Sequence, residues 1–430
     1  MSFKAKLYNL LRRSEKYTKT DMLYLAKGGS WLTGGEILNS ATIFLLAIAF
    51  ANLLPQETYG AYKYVLSLAG LFGIATLRGM SGAITQAAAR NYEGVLVPAI
   101  KTRIRWGMFA ALASIGTAGY YYLNGDNTLA LSFLLIAAFL PLMESFMTYD
   151  SFLQGKKLFG VSVVYGAISQ IAAVALMIAT LFLTKNLLVI LFVYFASWTI
   201  IRFVCLRLTL RKFKPNKEYD PKVISYGKHS SVVNITASII GSLDSIIIFH
   251  FLGAAELAIY SFALLPVIQL RAFSNRFSTL AMPKLAQRPL IQIKTVLWKR
   301  MGFLFLLGLG ASLAYIIIAP PIFKIFFPKY LDSIFLSQVF SFSLALTLGQ
   351  SIFGATISSR LTMIPKKFLY LSNIPSIVLT FSMFLLIQPF GSLGIIFARM
   401  ISLVSITGVS FIIWRKISNL EDHKIATSHN

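Results

Sequence analysis

Of the chain's 430 residues 57% are hydrophobic and only 13% charged, with a mean hydropathy of +0.71. A water-soluble fold would lack the polar surface to cover so much apolar side chain. The bilayer is therefore the expected solvent, and at about 20 residues per crossing helix little length remains for a soluble domain. The formal charge of +25 is read as a topology signal rather than a nucleic-acid footprint, and no nucleic-acid partner is expected.

In chain order, residues 3–11 set Phe3, Leu7, Leu10 and Leu11 on one helical face among Lys4, Lys6, Arg12 and Arg13. That pattern fits a helix lying on an anionic cytoplasmic surface, and equally a disordered basic tail. The first apolar stretch begins near Ser30 and is too long for a signal-peptide core. Spans are expected at about 30–52, 58–86, 105–123, 129–150, 160–183, 187–207, 229–251, 256–280, 300–319, 333–357, 368–388 and 392–414. Alternation from a cytoplasmic N-terminus then puts 33 of the 40 Lys and Arg inside and 3 outside, namely Lys185, Lys324 and Lys329, with the other four within spans. One missed or extra helix would scramble that bias, so both termini are placed in the cytoplasm. Trp31, Trp106, Trp298 and Trp414 fall at the inner boundaries, where an indole is favoured. Outside turns are short, at 55–58, 124–127 and 253–255.

The expected architecture is all-α and integral to the membrane: about twelve transmembrane helices in two pseudo-symmetric six-helix lobes around a central cavity. Residues 1–28 form the basic amphipathic N-terminus, 29–210 the first lobe, 211–228 a basic cytoplasmic linker, 229–416 the second lobe and 417–430 a cytoplasmic tail. An internal repeat supports the two lobes. The second helix carries Arg78, Ser81, Gly82, Thr85 and Gln86, and the eighth carries Arg271, Ser274, Asn275, Ser278 and Thr279 at the same spacing. Each set recurs at helical intervals, giving one polar face headed by an arginine on an otherwise apolar helix. Two halves that both start inside are parallel repeats related by an axis along the membrane normal.

Several chemistries have no support. The nucleotide-binding pattern G-x-x-x-x-G-K-[ST] is absent, Cys205 is a single cysteine, and His229 and His250 sit at opposite ends of one helix. No metal site, intrinsic ATPase or catalytic residue is expected, nor any cofactor beyond a coupling ion.

Residues 48–90 contain Leu53-Leu54, an acidic turn at Glu57, Tyr59-Gly60 and then a long helix rich in small residues. This stretch resembles the opening helix pair of the polysaccharide transport family of lipid-linked oligosaccharide flippases. Residues 243–262, with Asp244, Leu252-Gly253 and Tyr260-Ser261, are similar to the start of that family's second half. The wider superfamily also contains multidrug exporters and peptidoglycan-precursor flippases, and many members have fourteen helices against the twelve expected here. The resemblance implies movement of undecaprenyl-pyrophosphate-linked sugar repeat units from the cytoplasmic to the outer leaflet of a bacterial plasma membrane, for O-antigen, capsule or exopolysaccharide. Its implied partners are the lipid-linked oligosaccharide, membrane lipids, and the polysaccharide polymerase and chain-length machinery.

A diphosphate drawn between helices needs fixed cations at membrane depth. Arg78 and Arg271 are the first candidates, the alternative for both being snorkelling to inner headgroups. Arg276 is a candidate for the cavity or a boundary charge, and Lys63 for an outward phosphate contact or an interfacial lysine. Arg399, flanked by Phe397, Ala398 and Met400, must point inward or meet a carboxylate, because facing lipid costs about 2.5–3.5 kcal/mol. Asp244 and Glu36 are candidates to take up the coupling H+ or Na+, the competing reading being an ion pair with Arg271 or Arg399. Glu144 and Asp150 are expected to be solvated. Two other functions stay open: an ion-coupled exporter of cationic drugs, which would want more carboxylates than arginines, and a membrane enzyme acting on lipid-linked sugars, which would want large outside loops. A structural partner without transport activity is a third.

Overall fold

The computed structural model describes residues 22–233, 235–286, 290–358 and 370–428, with side chains other than those of 22–33, 272–286, 290–296, 417–428 and a few single positions. The amphipathic N-terminal stretch, Arg276 and the side chains of the C-terminal tail lie outside that set. Among the described residues all regular secondary structure is helical. Among the described residues eight helices are long and apolar enough to cross a membrane, or nine when the bent pair Gln56–Thr76 and Met80–Ala89 counts as one span. The expected twelve are not reached by that measure; the 28-residue helix Leu96–Leu123, the succession of Lys222–Val233 and Ile235–Leu252, and the Ile374–Ser428 helix, divided at Gly391, lie where the other spans are expected. Gly391 has φ 56, a left-handed conformation that only a residue without Cβ adopts cheaply.

Helix ends follow local chemistry. The Asp126 carboxylate accepts from Leu129 N at 2.9 Å, capping Asn127–Phe146, and Asn186 Oδ1 accepts from Leu188 N at 2.9 Å, capping Leu187–Phe213. The turn before Gln56 holds Pro55, which lacks the amide a continuing helix needs.

The chain forms two units, one of residues 1–50 and 72–235, the other of residues 51–71 and 236–430. In the first unit, Leu77, Met80, Ile84, Leu96, Phe152 and Leu206 build a core that also buries Cys205. Ser114 Oγ donates to Phe133 O at 2.7 Å, tying Leu96–Leu123 to the following helix. In the second, Ser312 Oγ donates to Ser341 O at 2.7 Å in the corresponding helix pair. Polar bonds of this kind hold helices together where lipid removes the hydrophobic drive. Phe109, Leu112, Phe182, Leu183, Ile317 and Phe381 are exposed, as expected of a surface solvated by acyl chains.

The second helix is not continuous. A 3-10 turn at Gly73–Thr76 leads to Leu77 at φ 56, and the halves on either side differ in direction by 51°. Arg78 therefore sits in the break, while Ser81, Gly82, Thr85 and Gln86 lie on the short helix beyond it. The even polar face expected over 78–86 is interrupted at its head. Across the basic linker, helix continues through Phe213 and resumes at Lys222. Between them Asn216 N donates to Glu93 Oε2 at 3.1 Å, Glu93 N donates to Asn216 Oδ1 at 3.2 Å, and Lys156 Nζ bonds Glu93 Oε1. The linker is thus pinned to the turn after the second helix, within one unit.

Candidate functional site

Each unit gathers charged side chains deep in its own helices. In the first, Arg78 Nε lies 3.4 Å from Glu144 Oε2, and Arg103 Nη2 lies 3.8 Å from the same oxygen. Arg103 is 2% exposed, and its Nε donates to Thr76 O at 2.9 Å and its Nη1 to Thr148 Oγ1 at 3.2 Å. Arg202 Nη1 donates to Met143 O at 3.0 Å, its guanidinium stacks over Trp198, and its charge is felt by Arg103. Two arginines thus meet one carboxylate, with a third, Arg202, beside Arg103. Arg78 is the most open of the bonded trio, with 41% of its side chain exposed against 14% for Glu144. Gly73 makes the room: a Cβ there would stand 2.6 Å from Arg78 Nη2.

In the second unit Arg399 Nη2 donates to Asp244 Oδ2, and Tyr260 OH donates to the same oxygen at 2.8 Å. Asp244 is 4% exposed and Arg399 23%. Lys63 is within electrostatic reach of Asp244, and Arg271 within reach of Arg399, with its guanidinium over the Phe340 ring at 5.8 Å. Here Arg399 and Lys63 face the one carboxylate, with Arg271 beside Arg399, and the pair is only half made: Asp244 Oδ1 and Arg399 Nε are buried without a hydrogen-bond partner.

The candidates named from sequence are therefore placed as follows. Lys63, Asp244, Arg271 and Arg399 come together, Arg78 joins a cluster of its own, and Arg276 lies outside the described side chains. Glu36 is half-buried in the first unit, and Asp244 belongs to the second. Asp244 pairs with Arg399 rather than Arg271. Two expectations are corrected. Glu144 is largely buried and bonded by arginine rather than solvated. Asp150 accepts from Ser162 Oγ and from Gln154 Nε2 at 2.8 Å. Arg103 was missed because it lies just before the expected span 105–123 among basic residues, and Arg202 because it lies near the inner end of the expected span 187–207 with other basic residues following. A signal existed for Arg103: it heads a stripe with Gly107, Ala111, Ser114 and Ala118, the small and polar face that packs inward, while Lys101 and Arg105 lie off that stripe and are exposed.

Among the described residues no three His, Cys, Asp or Glu are grouped to hold a metal ion. An apolar groove lined by Ile115, Ala118, Tyr122, Leu131 and Leu134 shares no residue with either cluster.

A bundle of long apolar helices that carries its charged side chains in clusters between them defines a multi-pass membrane protein. The fold is shared with transporters of one superfamily. A lipid II flippase, MurJ, in an inward closed conformation aligns at TM-score 0.61 and 12% identity, over 91% of this chain and 90% of that one. A multidrug resistance MATE family transporter of the MOP superfamily, inward-facing, aligns at TM-score 0.60 and 12% identity, over 89% and 96%. A MOP superfamily transporter from Pyrococcus furiosus, described as having a binding pocket of reverse polarity, aligns at 0.55 and 14%, over 92% and 96%. No curated protein matches the sequence. A family model described as polysaccharide biosynthesis protein matches residues 25–287. The chain belongs to that family.

Proposed function

We propose that the protein is a flippase that carries undecaprenyl-pyrophosphate-linked oligosaccharide repeat units across the bacterial plasma membrane by alternating access, for surface polysaccharide assembly. The observation that carries this reading is the excess of cations at membrane depth in both units: Arg78, Arg103 and Arg202 against Glu144, and Lys63, Arg271 and Arg399 against Asp244. A diphosphate is the anion such clusters suit, since guanidinium forks match phosphate oxygens. An exporter of cationic drugs would need a carboxylate left free for its cargo, and both of these carboxylates already sit against arginine.

In this reading the protein is not an enzyme. Both termini face the cytoplasm, and twelve spans satisfy the distribution of Lys and Arg. Transport draws on H+ or Na+, taken up by Glu36 or by Asp244 when Arg399 leaves it. Deleting the gene in its native host and analysing the undecaprenyl-linked pool by mass spectrometry tests the reading. Complete repeat units are expected to accumulate on the cytoplasmic leaflet, and an unchanged pool would refute the flippase assignment.

A further inference from the structure

Both clusters share a layout that the proposed substrate does not by itself require. Each has an arginine that is the more open partner of its ion pair, Arg78 at 41% and Arg399 at 23%, a carboxylate paired to it, and a second cation behind the carboxylate. In the first unit the second cation is Arg103, held by Thr76 O and Thr148 Oγ1 independently of Glu144. In the second unit it is Lys63, in electrostatic reach of Asp244, whose Oδ2 is also fixed by Tyr260 OH.

Resting on the flippase reading, we infer that Glu144 and Asp244 are resident counter-anions: they occupy Arg78 and Arg399 when no substrate is bound, and fall back on Arg103 and Lys63 when a diphosphate takes the arginines.

The physical case has three parts. First, an arginine at membrane depth with no counter-ion costs about 2.5–3.5 kcal/mol even on a lenient scale, so an empty anion site needs an internal anion to remain folded. Second, the pairs are built to let go. Arg78 meets Glu144 only at 3.4 and 3.5 Å, and Asp244 and Arg399 each leave one buried polar atom unbonded. The first pair is a long two-point contact and the second leaves part of each group unbonded, and either kind forfeits less when it opens than a close, fully bonded pair. Third, a carboxylate that competes with phosphate weakens binding and so hastens release, which a carrier needs on the far side as much as capture on the near side. Removing the carboxylate then has opposite effects on binding and turnover, which no purely structural role produces.

The test uses the full-length protein in lipid nanodiscs, with undecaprenyl diphosphate as the binding probe and reconstituted vesicles for turnover. Glu144→Gln and Asp244→Asn are each expected to bind the probe about tenfold more tightly than the wild type, as expected for the loss of one close competing charge, while flipping more slowly. Lys63→Met removes the fallback cation and is expected to weaken binding, and Lys63→Met with Asp244→Asn is expected to bind like Asp244→Asn alone. Should Asp244→Asn fail to yield folded protein, the less buried Glu144→Gln carries the test by itself. Unchanged or weaker binding by folded carboxylate variants, when the wild type binds, would overturn the counter-anion role and leave the flippase reading standing. Failure of the wild type to bind the probe would overturn both.

Discussion

Arg103 Nε donates to the main-chain oxygen of Thr76 at 2.9 Å, and this bond fastens the Leu96–Leu123 helix to the point where the second helix breaks. The left-handed residue that follows, Leu77, takes the chain out of helix, so the Thr76 carbonyl needs a partner from elsewhere. The same guanidinium reaches Thr148 and Glu144. One buried cation thus fixes the break that carries Arg78 and balances the carboxylate that faces it.

Replacing Arg103 should be felt chiefly in stability. Arg103→Met leaves the buried Thr76 carbonyl without its donor, at a cost of about 1–3 kcal/mol. Thermal unfolding in detergent should shift to lower temperature, and Arg103→Lys should recover only part of the loss, because an ammonium cannot reach three acceptors in the same plane. An unchanged melting temperature would show that the break is held by other means.

Gly73 should matter to function and not to folding. A methyl group there would meet the tip of Arg78 at 2.6 Å, and a flexible side chain yields more readily than backbone. Gly73→Ala is expected to insert and melt like the wild type but to flip lipid-linked substrate severalfold more slowly, because the guanidinium is pushed from its place. Normal transport rates in reconstituted vesicles would show that the position of Arg78 is not critical.

The Tyr59-Gly60 pair read from the sequence acquires a physical reason. Tyr59 stacks on Phe262 with ring centroids 4.7 Å apart, and a Cβ at Gly60 would lie 1.7 Å from the Ala254 carbonyl oxygen. Two backbones therefore touch, and Gly60→Ala should destabilise the protein by about 1–3 kcal/mol through overpacking. Gly82→Ala is the control, since nothing lies within 4 Å of that Cβ position. Equal melting temperatures for the two variants would contradict the close approach.

The linker pinned by Glu93 offers a proteolytic readout. Lys217 is exposed on a segment whose described anchors include the Asn216 bonds to Glu93 and Asn91 and the 2.9 Å bond from Gly94 N to Glu218 O. Glu93→Ala should speed tryptic cleavage after Lys217 severalfold, as local opening becomes cheaper. Cleavage at the wild-type rate would mean that Glu93 does not hold the segment.

How much of this could be read beforehand depended on the physics involved. Long apolar runs and the inside excess of Lys and Arg made the membrane fold legible, because lipid leaves a chain few alternatives to helices. Lys63, Arg271 and Arg399 could be singled out because each stands alone in an apolar run. Arg103 and Arg202 could not be, since each lies near the inner end of its expected span among other basic residues and looks like a boundary charge; only the small-residue stripe below Arg103 hinted at burial. The break at Leu77 is marked in sequence only by the glycines around it, Gly73 and Gly79, which are common in any membrane helix, while leucine itself is a good helix former; the bond from Arg103 that holds the break comes from another helix. Glu144 looked solvated for the same reason, as the arginines that bury it come from distant sequence.

The most direct measurement is flipping of an undecaprenyl-pyrophosphate-linked oligosaccharide by the purified protein in vesicles, comparing the wild type with Arg78→Ala and Arg271→Ala. The account predicts that the wild type moves the lipid and that each variant inserts normally but loses transport. Flipping by both variants at the wild-type rate would contradict the assignment of these cations to the diphosphate.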